Sequence, residues 1–142
     1  MSIEEGVACF VVDDDGGGEI GSVFLKEMGA RFPRCSGTVV TSGESCSASA
    51  LRETMAPARS VVIALFSNIS ATKGRSGISP ELFKTVRDLL KYAAEGEKTS
   101  VVISFDSPYI LEQFSGAHIR IAAFDRMDEI QAAVAALLSG KR

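Results

Sequence analysis

The sequence predicts an α/β fold: a three-layer, doubly wound, mostly parallel five-stranded sheet. Three observations point to it. Five short runs rich in Val and Ile punctuate the chain, at Val7 to Val12, Thr38 to Thr41, Val61 to Phe66, Val101 to Phe105 and Ile119 to Ala123. These runs are continuously apolar rather than alternating, which is the pattern of strands covered on both faces. Segments with helical spacing lie between them, so strand and helix alternate, and alternation favours right-handed parallel crossovers. The strand order expected of such a sheet is 2-1-3-4-5.

The first strand runs into Asp13-Asp14-Asp15 and then Gly16-Gly17-Gly18, an acidic turn followed by a glycine loop, with a helix expected near Ile20 to Arg31. The second strand closes on Ser42-Gly43, and Ala48 to Met55 reads as the next helix. Val61 to Phe66 is wholly apolar and ends in Ser67-Asn68, where a second loop, Ser67 to Ser79, begins. Ser79-Pro80-Glu81-Leu82 then offers a capping Ser, a Pro at the first helical position and an early acid that suits the helix dipole. Leu82, Phe83, Val86, Leu89 and Leu90 fall on one face of that helix. The fourth strand meets Asp106-Ser107-Pro108-Tyr109, with a short helix over Pro108 to Phe114. After the fifth, Met127, Ile130, Val134, Leu137 and Leu138 form another helical stripe. Both stripes read as core.

A chain of 142 residues has the size of one domain and buries about 70% of the surface its unfolded form exposes. Residues 1–142 are therefore read as a single α/β domain. Its 46% hydrophobic and 23% charged residues are ordinary for a globular protein. A net charge of -3 supplies no cationic footprint for nucleic acid or anionic lipid. No apolar run reaches the 18 or so residues of a membrane span, and Met1-Ser2-Ile3-Glu4-Glu5 lacks the basic and apolar regions of a secretory signal. Cys9, Cys35 and Cys46 are odd in number and show no C-x-x-C spacing, so reduced thiols are expected rather than a disulfide framework or zinc site.

In a doubly wound sheet, ligands sit beyond the carboxyl ends of the strands. The candidate rim is therefore Asp13, Asp14, Asp15, Gly16, Gly18, Ser67, Asn68, Asp106, Ser107 and Tyr109. Gly16 to Gly21 matches G-x-G-x-x-G between a strand and a helix, as a dinucleotide fingerprint requires. The three aspartates before it would repel a pyrophosphate, and Thr41-Ser42-Gly43 offers no ribose-binding acid. The aspartates resemble a phosphoacceptor's magnesium pocket in position only, because Ser67 stands where an acceptor Asp is needed and Asp125 where a Lys is. His118 is the only histidine and G-x-S-x-G is absent, so no nucleophilic triad is legible. Asp106 with Asp13 or Asp125 could form a carboxylate pair for glycosidic cleavage, but spacing alone selects none. No catalytic set, metal or cofactor is expected.

The stretches Val61 to Phe66, Lys73 to Glu81, Val101 to Leu111 with its Ser107-Pro108-Tyr109, and Ile121 to Phe124 with the helix to Gly140 resemble the C-terminal domain of glycoside hydrolase family 3, especially its β-N-acetylhexosaminidase branch. The resemblance is good from Val61 to Gly140 and general over Val7 to Met55. It implies a flavodoxin-like domain that follows a (β/α)8 barrel, and the barrel would hold the N-acetylglucosaminide, the Asp nucleophile and a His-bearing acid/base loop. None of those motifs is in this chain. The resemblance further implies that Pro108 presets a short rim helix and Tyr109 packs under it. Asp106 departs from the family pattern, which has Gly there. On this reading the partner is the parent's barrel, the isolated chain is inactive and able to self-associate, and the alternative is a free-standing nucleotide-binding module.

Overall fold

In the computed structural model, which describes residues 6–13, 20–41, 48–66, 80–105, 108–123 and 127–140, the five expected strands form one sheet. The strands are β1 (Val7–Asp13), β2 (Cys35–Thr41), β3 (Ser60–Phe66), β4 (Thr99–Ser104) and β5 (Ile119–Ala122), in the order β2-β1-β3-β4-β5. Every pairing is parallel. The helices are α1 (Ser22–Arg31), α2 (Ala48–Met55), α3 (Pro80–Glu95) and α4 (Asp128–Leu138), with a 3-10 helix over Pro108–Phe114 between β4 and β5.

Strand alternation sorts the core into two halves. Ala8, Phe10 and Val12 of β1, with Val61, Ile63 and Leu65 of β3, pack under α2, α3 and the 3-10 helix through Leu51, Met55, Val86, Leu89, Ile110 and Phe114. Val7, Cys9 and Val11, with Val62, Ala64 and Phe66, pack under α1 and α4 through Phe24, Met28, Val134, Ala135 and Leu138. This is the three-layer arrangement. Both central strands are buried along their whole length, which accounts for their unbroken apolar sequence. Each Leu, Phe or Val so buried contributes about 1.5 to 3 kcal/mol, most of it offset by chain entropy.

β2 begins at Cys35, three residues before its apolar run, because the backbone ladder Val7 to Cys35, Ala8 to Ser36 and Cys9 to Gly37 continues past the apolar side chains. Gly37 leaves room for Leu25 of α1: a Cβ there would stand 3.1 Å from Leu25 Cδ2. α3 runs past Leu90 to Glu95, burying Ala93. It ends in a Schellman closure, in which Lys98 N donates to Ala93 O (2.8 Å) and Glu97 N to Ala94 O (3.1 Å), with Glu97 at φ 56°. The Pro108 segment is a 3-10 helix of seven residues. Its Ile110, Leu111 and Phe114 are buried.

Polar side chains fasten the amino edge of the sheet. Lys98 Nζ donates to Ala58 O (2.5 Å) and Ala56 O (3.2 Å), carbonyls that follow α2. Ser100 N donates to His118 Nδ1 (3.1 Å), and His118 N donates to Ser100 Oγ (3.1 Å), joining β4 to the approach of β5. The lone histidine is thus a satisfied structural residue at the edge away from the candidate rim. Among the described residues no helix is long and apolar enough to cross a membrane, and no cluster of His, Cys, Asp and Glu could hold a metal ion.

Candidate functional site

The carboxyl edge is built by the last residues of the five strands. Asp13 ends β1 and is 1% exposed. Its register partners are Thr41 on one side, also buried, and Phe66 on the other. Asp13 has the strand parity of Val7, Cys9 and Val11, which places it on the α1/α4 side of the sheet. Among the described residues, three of the four rings in the core of that side touch one another. Phe66 stacks on Phe105 (centroids 4.6 Å, planes 5° apart), and Phe24 meets Phe105 edge-on at 5.5 Å. A buried carboxylate at a strand end, with aromatic packing in the same layer, is the one charged group of the predicted rim that the described residues place.

The other rim residues divide into two groups. Asp14, Asp15, Gly16, Gly18, Ser67, Asn68, Asp106 and Ser107 lie outside the described residues. Tyr109 falls in the 3-10 helix, directly beyond the carboxyl end of β4. That helix is held by its buried Ile110 and Phe114 and by Arg120 of β5, whose Nη1 donates to Leu111 O at 3.1 Å. The Pro108–Phe114 segment is therefore a packed element.

The start of α1 bears on the glycine fingerprint. Gly21, its N-cap, has an ordinary φ of -97°, but a Cβ there would lie 2.5 and 2.9 Å from the two γ-carbons of Val11 and 3.1 Å from Phe66 Cε2. The last glycine of the pattern is thus required by close helix-to-strand packing, a need that exists with or without a nucleotide. α1 carries no side-chain cap of its own. Gln131 of α4, 1% exposed, supplies one from across the layer: Phe24 N donates to its Oε1 at 2.9 Å, and its Nε2 donates to Ile20 O at 3.0 Å. Phe24 N is one of the few free donors of a helix's first turn, the group that a phosphate would use. Here the amide occupies it. Sequence reasoning missed Gln131 because its partners lie 107 and 111 residues away; the available signal was a lone polar residue inside the Ile130 to Leu138 apolar stripe.

Two thiols are described. Burial pushes the Cys9 thiol well above its ordinary value of 9.0, and the neighbouring Cys35 adds to the rise. Burial also raises Cys35. Cys9 pairs with Gly37, two residues along β2 from Cys35, a diagonal on the order of 8 Å between α-carbons and too long for a disulfide. Neither thiol is activated for nucleophilic work.

No protein-family model and no curated protein matches the chain. Solved structures do. A fungal multi-domain glycoside hydrolase family 3 β-N-acetylglucosaminidase, described as having a GCN5-related glucosamine N-acetyltransferase region, superposes with a TM-score of 0.71 at 13% identity over 99% of this chain. Two histidine-substituted mutants of a flavo di-iron protein from Thermotoga maritima superpose with TM-scores of 0.59 and 0.61 at 12% identity over 96% and 98% of this chain. The likeness is one of fold. The chain spans only 15% of the length of the first structure and 36% of the other two. The doubly wound, flavodoxin-like architecture is thereby shown, and it recurs as one part of larger chains.

Proposed function

We propose that this chain is a non-catalytic accessory domain of a glycoside hydrolase of the family 3 type, with a β-N-acetylhexosaminidase as its parent. The observation that carries the reading is the superposition of nearly the whole chain on a small part of a β-N-acetylglucosaminidase of that family. The resemblance of Val61 to Gly140 to the family's C-terminal domain points the same way. On this reading residues 1–142 form one domain that supports a separate (β/α)8 barrel. The retaining hydrolysis of terminal N-acetylglucosaminides belongs to that barrel. The carboxyl edge, with Asp13, Asp14, Asp15, Gly16, Gly18, Ser67, Asn68, Asp106, Ser107 and Tyr109, would border the barrel's mouth.

The chemistry of the described residues agrees with an accessory part. His118 is tied to Ser100, the thiols are buried or half-buried, and Asp13 is enclosed at the end of β1. A free-standing nucleotide-binding module is the weaker alternative, because Gln131 takes a first-turn donor of α1 and three aspartates precede the glycines. Two measurements test the proposal. The isolated chain should give no turnover of an aryl N-acetyl-β-glucosaminide, and turnover abolished by Asp106→Asn would overturn it. Calorimetric titration with flavin mononucleotide and adenine nucleotides should detect no submillimolar binding; such binding would favour the alternative.

A further inference from the structure

An open groove of about 530 Å³ runs between α3 and the end of the 3-10 helix. Phe83, Leu90 and Phe114 line it, the two rings 5.3 Å apart, and Arg87 and Lys91 stand at it as exposed cations. The Arg87 guanidinium lies 5.8 Å from the Phe83 ring centre. No carboxylate lines the groove, and neither cation has an ion pair among the described residues. It therefore suits an occupant that is apolar at its tip and acidic beside it.

The chain itself carries one. Among the described residues the exposed large hydrophobic side chains are Met127, at 57%, and Leu137, at 43%. Met127 caps α4 and is followed by the exposed Asp128 and Glu129. Methionine is unbranched and polarizable, so it fills irregular gaps and packs well against ring edges. α3 covers one face of the sheet and α4 the other, so groove and turn cannot meet within one molecule. We propose that the Met127-Asp128-Glu129 turn of one copy docks in the α3 groove of a second copy. The contact joins two different surfaces, so copies add head to tail. Its small area puts it at the weak end of protein contacts. This inference does not depend on the accessory-domain reading.

Sedimentation equilibrium of the 142-residue chain up to about 1 mM, in roughly 0.05 M and 0.5 M salt, tests it. The average mass should rise above the 15.0 kDa of one chain with concentration at low salt and fall back at high salt. Arg87→Glu/Lys91→Glu and Asp128→Lys/Glu129→Lys should each abolish the rise. Mixing the two should restore it, because each variant keeps the half the other lacks and the two reversed halves also match. Lysines oppose the dipole at the start of α4, so Met127→Ser, which leaves the charges in place, is the second variant and should also lower association. A monomer under all conditions overturns the proposal, as does association that survives either charge reversal or is not restored by mixing.

Discussion

Replacing Gln131 by Leu removes its hydrogen bonds with Phe24 N and Ile20 O while keeping most of the side-chain volume. The two bonds are not of equal weight. Phe24 N–H, on a residue with no exposure, would be left inside the α1/α4 layer without a partner, and a buried donor so stranded costs about 1 to 3 kcal/mol. Ile20 O belongs to a half-buried residue, where water can replace the amide at a cost of roughly 0.5 to 1 kcal/mol. The expected loss is about 1.5 to 4 kcal/mol, to be set against a total of roughly 7 to 15 kcal/mol for a domain of this size. In urea denaturation followed by circular dichroism, the midpoint should fall with an unchanged slope, and Tm should drop by about 5 to 14 °C. Gln131→Glu keeps an acceptor for Phe24 N–H but turns an oxygen toward Ile20 O, so it should also destabilise. A Gln131→Leu protein within about 0.5 kcal/mol of the parent, the usual range of neutral surface changes, would refute the view that this amide caps α1.

Further outcomes follow from single positions. Gly21→Ala should cost about 1 to 3 kcal/mol in the same denaturation assay, as overpacking against a stiff β-branched side chain does, and the cost should shrink in a Val11→Ala background. Glu97→Gly should stabilise by up to about 1 kcal/mol, because Glu97 holds a left-handed φ of 56° that glycine adopts without strain; a lower midpoint would count against that. Cys9 should resist a thiol reagent until the chain unfolds. Its folded pKa is raised by burial, so the unfolded chain loses the thiol proton first; stability is full below about pH 9 and falls as pH rises beyond it. A Cys9→Ala variant that declines as steeply over that window would contradict the assignment.

The parts of the fold that were legible in the sequence are those where one residue type answers one physical demand. β1 and β3 are covered on both faces, so their composition alone marks them; alternation with right-handed crossovers leaves more than one doubly wound order open, and the expected order 2-1-3-4-5 is the one observed. The edges were less legible. Cys35, Ser36 and Gly37 extend β2 through backbone pairing that a half-buried Cys, an exposed Ser and a Gly do not advertise. The start of α1 was illegible locally because its cap comes from α4. For the candidate site, position was legible and chemistry was not: parallel topology places Asp13 at the carboxyl edge, whereas its burial, at 1% exposure, arises only in the folded chain. Gly21 illustrates the ambiguity of a motif. The same glycine serves a fingerprint or plain packing, and the 2.5 Å approach to Val11 accounts for it without a ligand.

A domain that works beside a glycosidase barrel should be encoded with it, and the genomic DNA directly upstream of the Met1 codon decides whether it is. The expected result is an open frame continuing back through a barrel-length coding region that includes the Asp nucleophile and the His-bearing loop. A stop codon and a ribosome-binding site immediately before Met1 would contradict it.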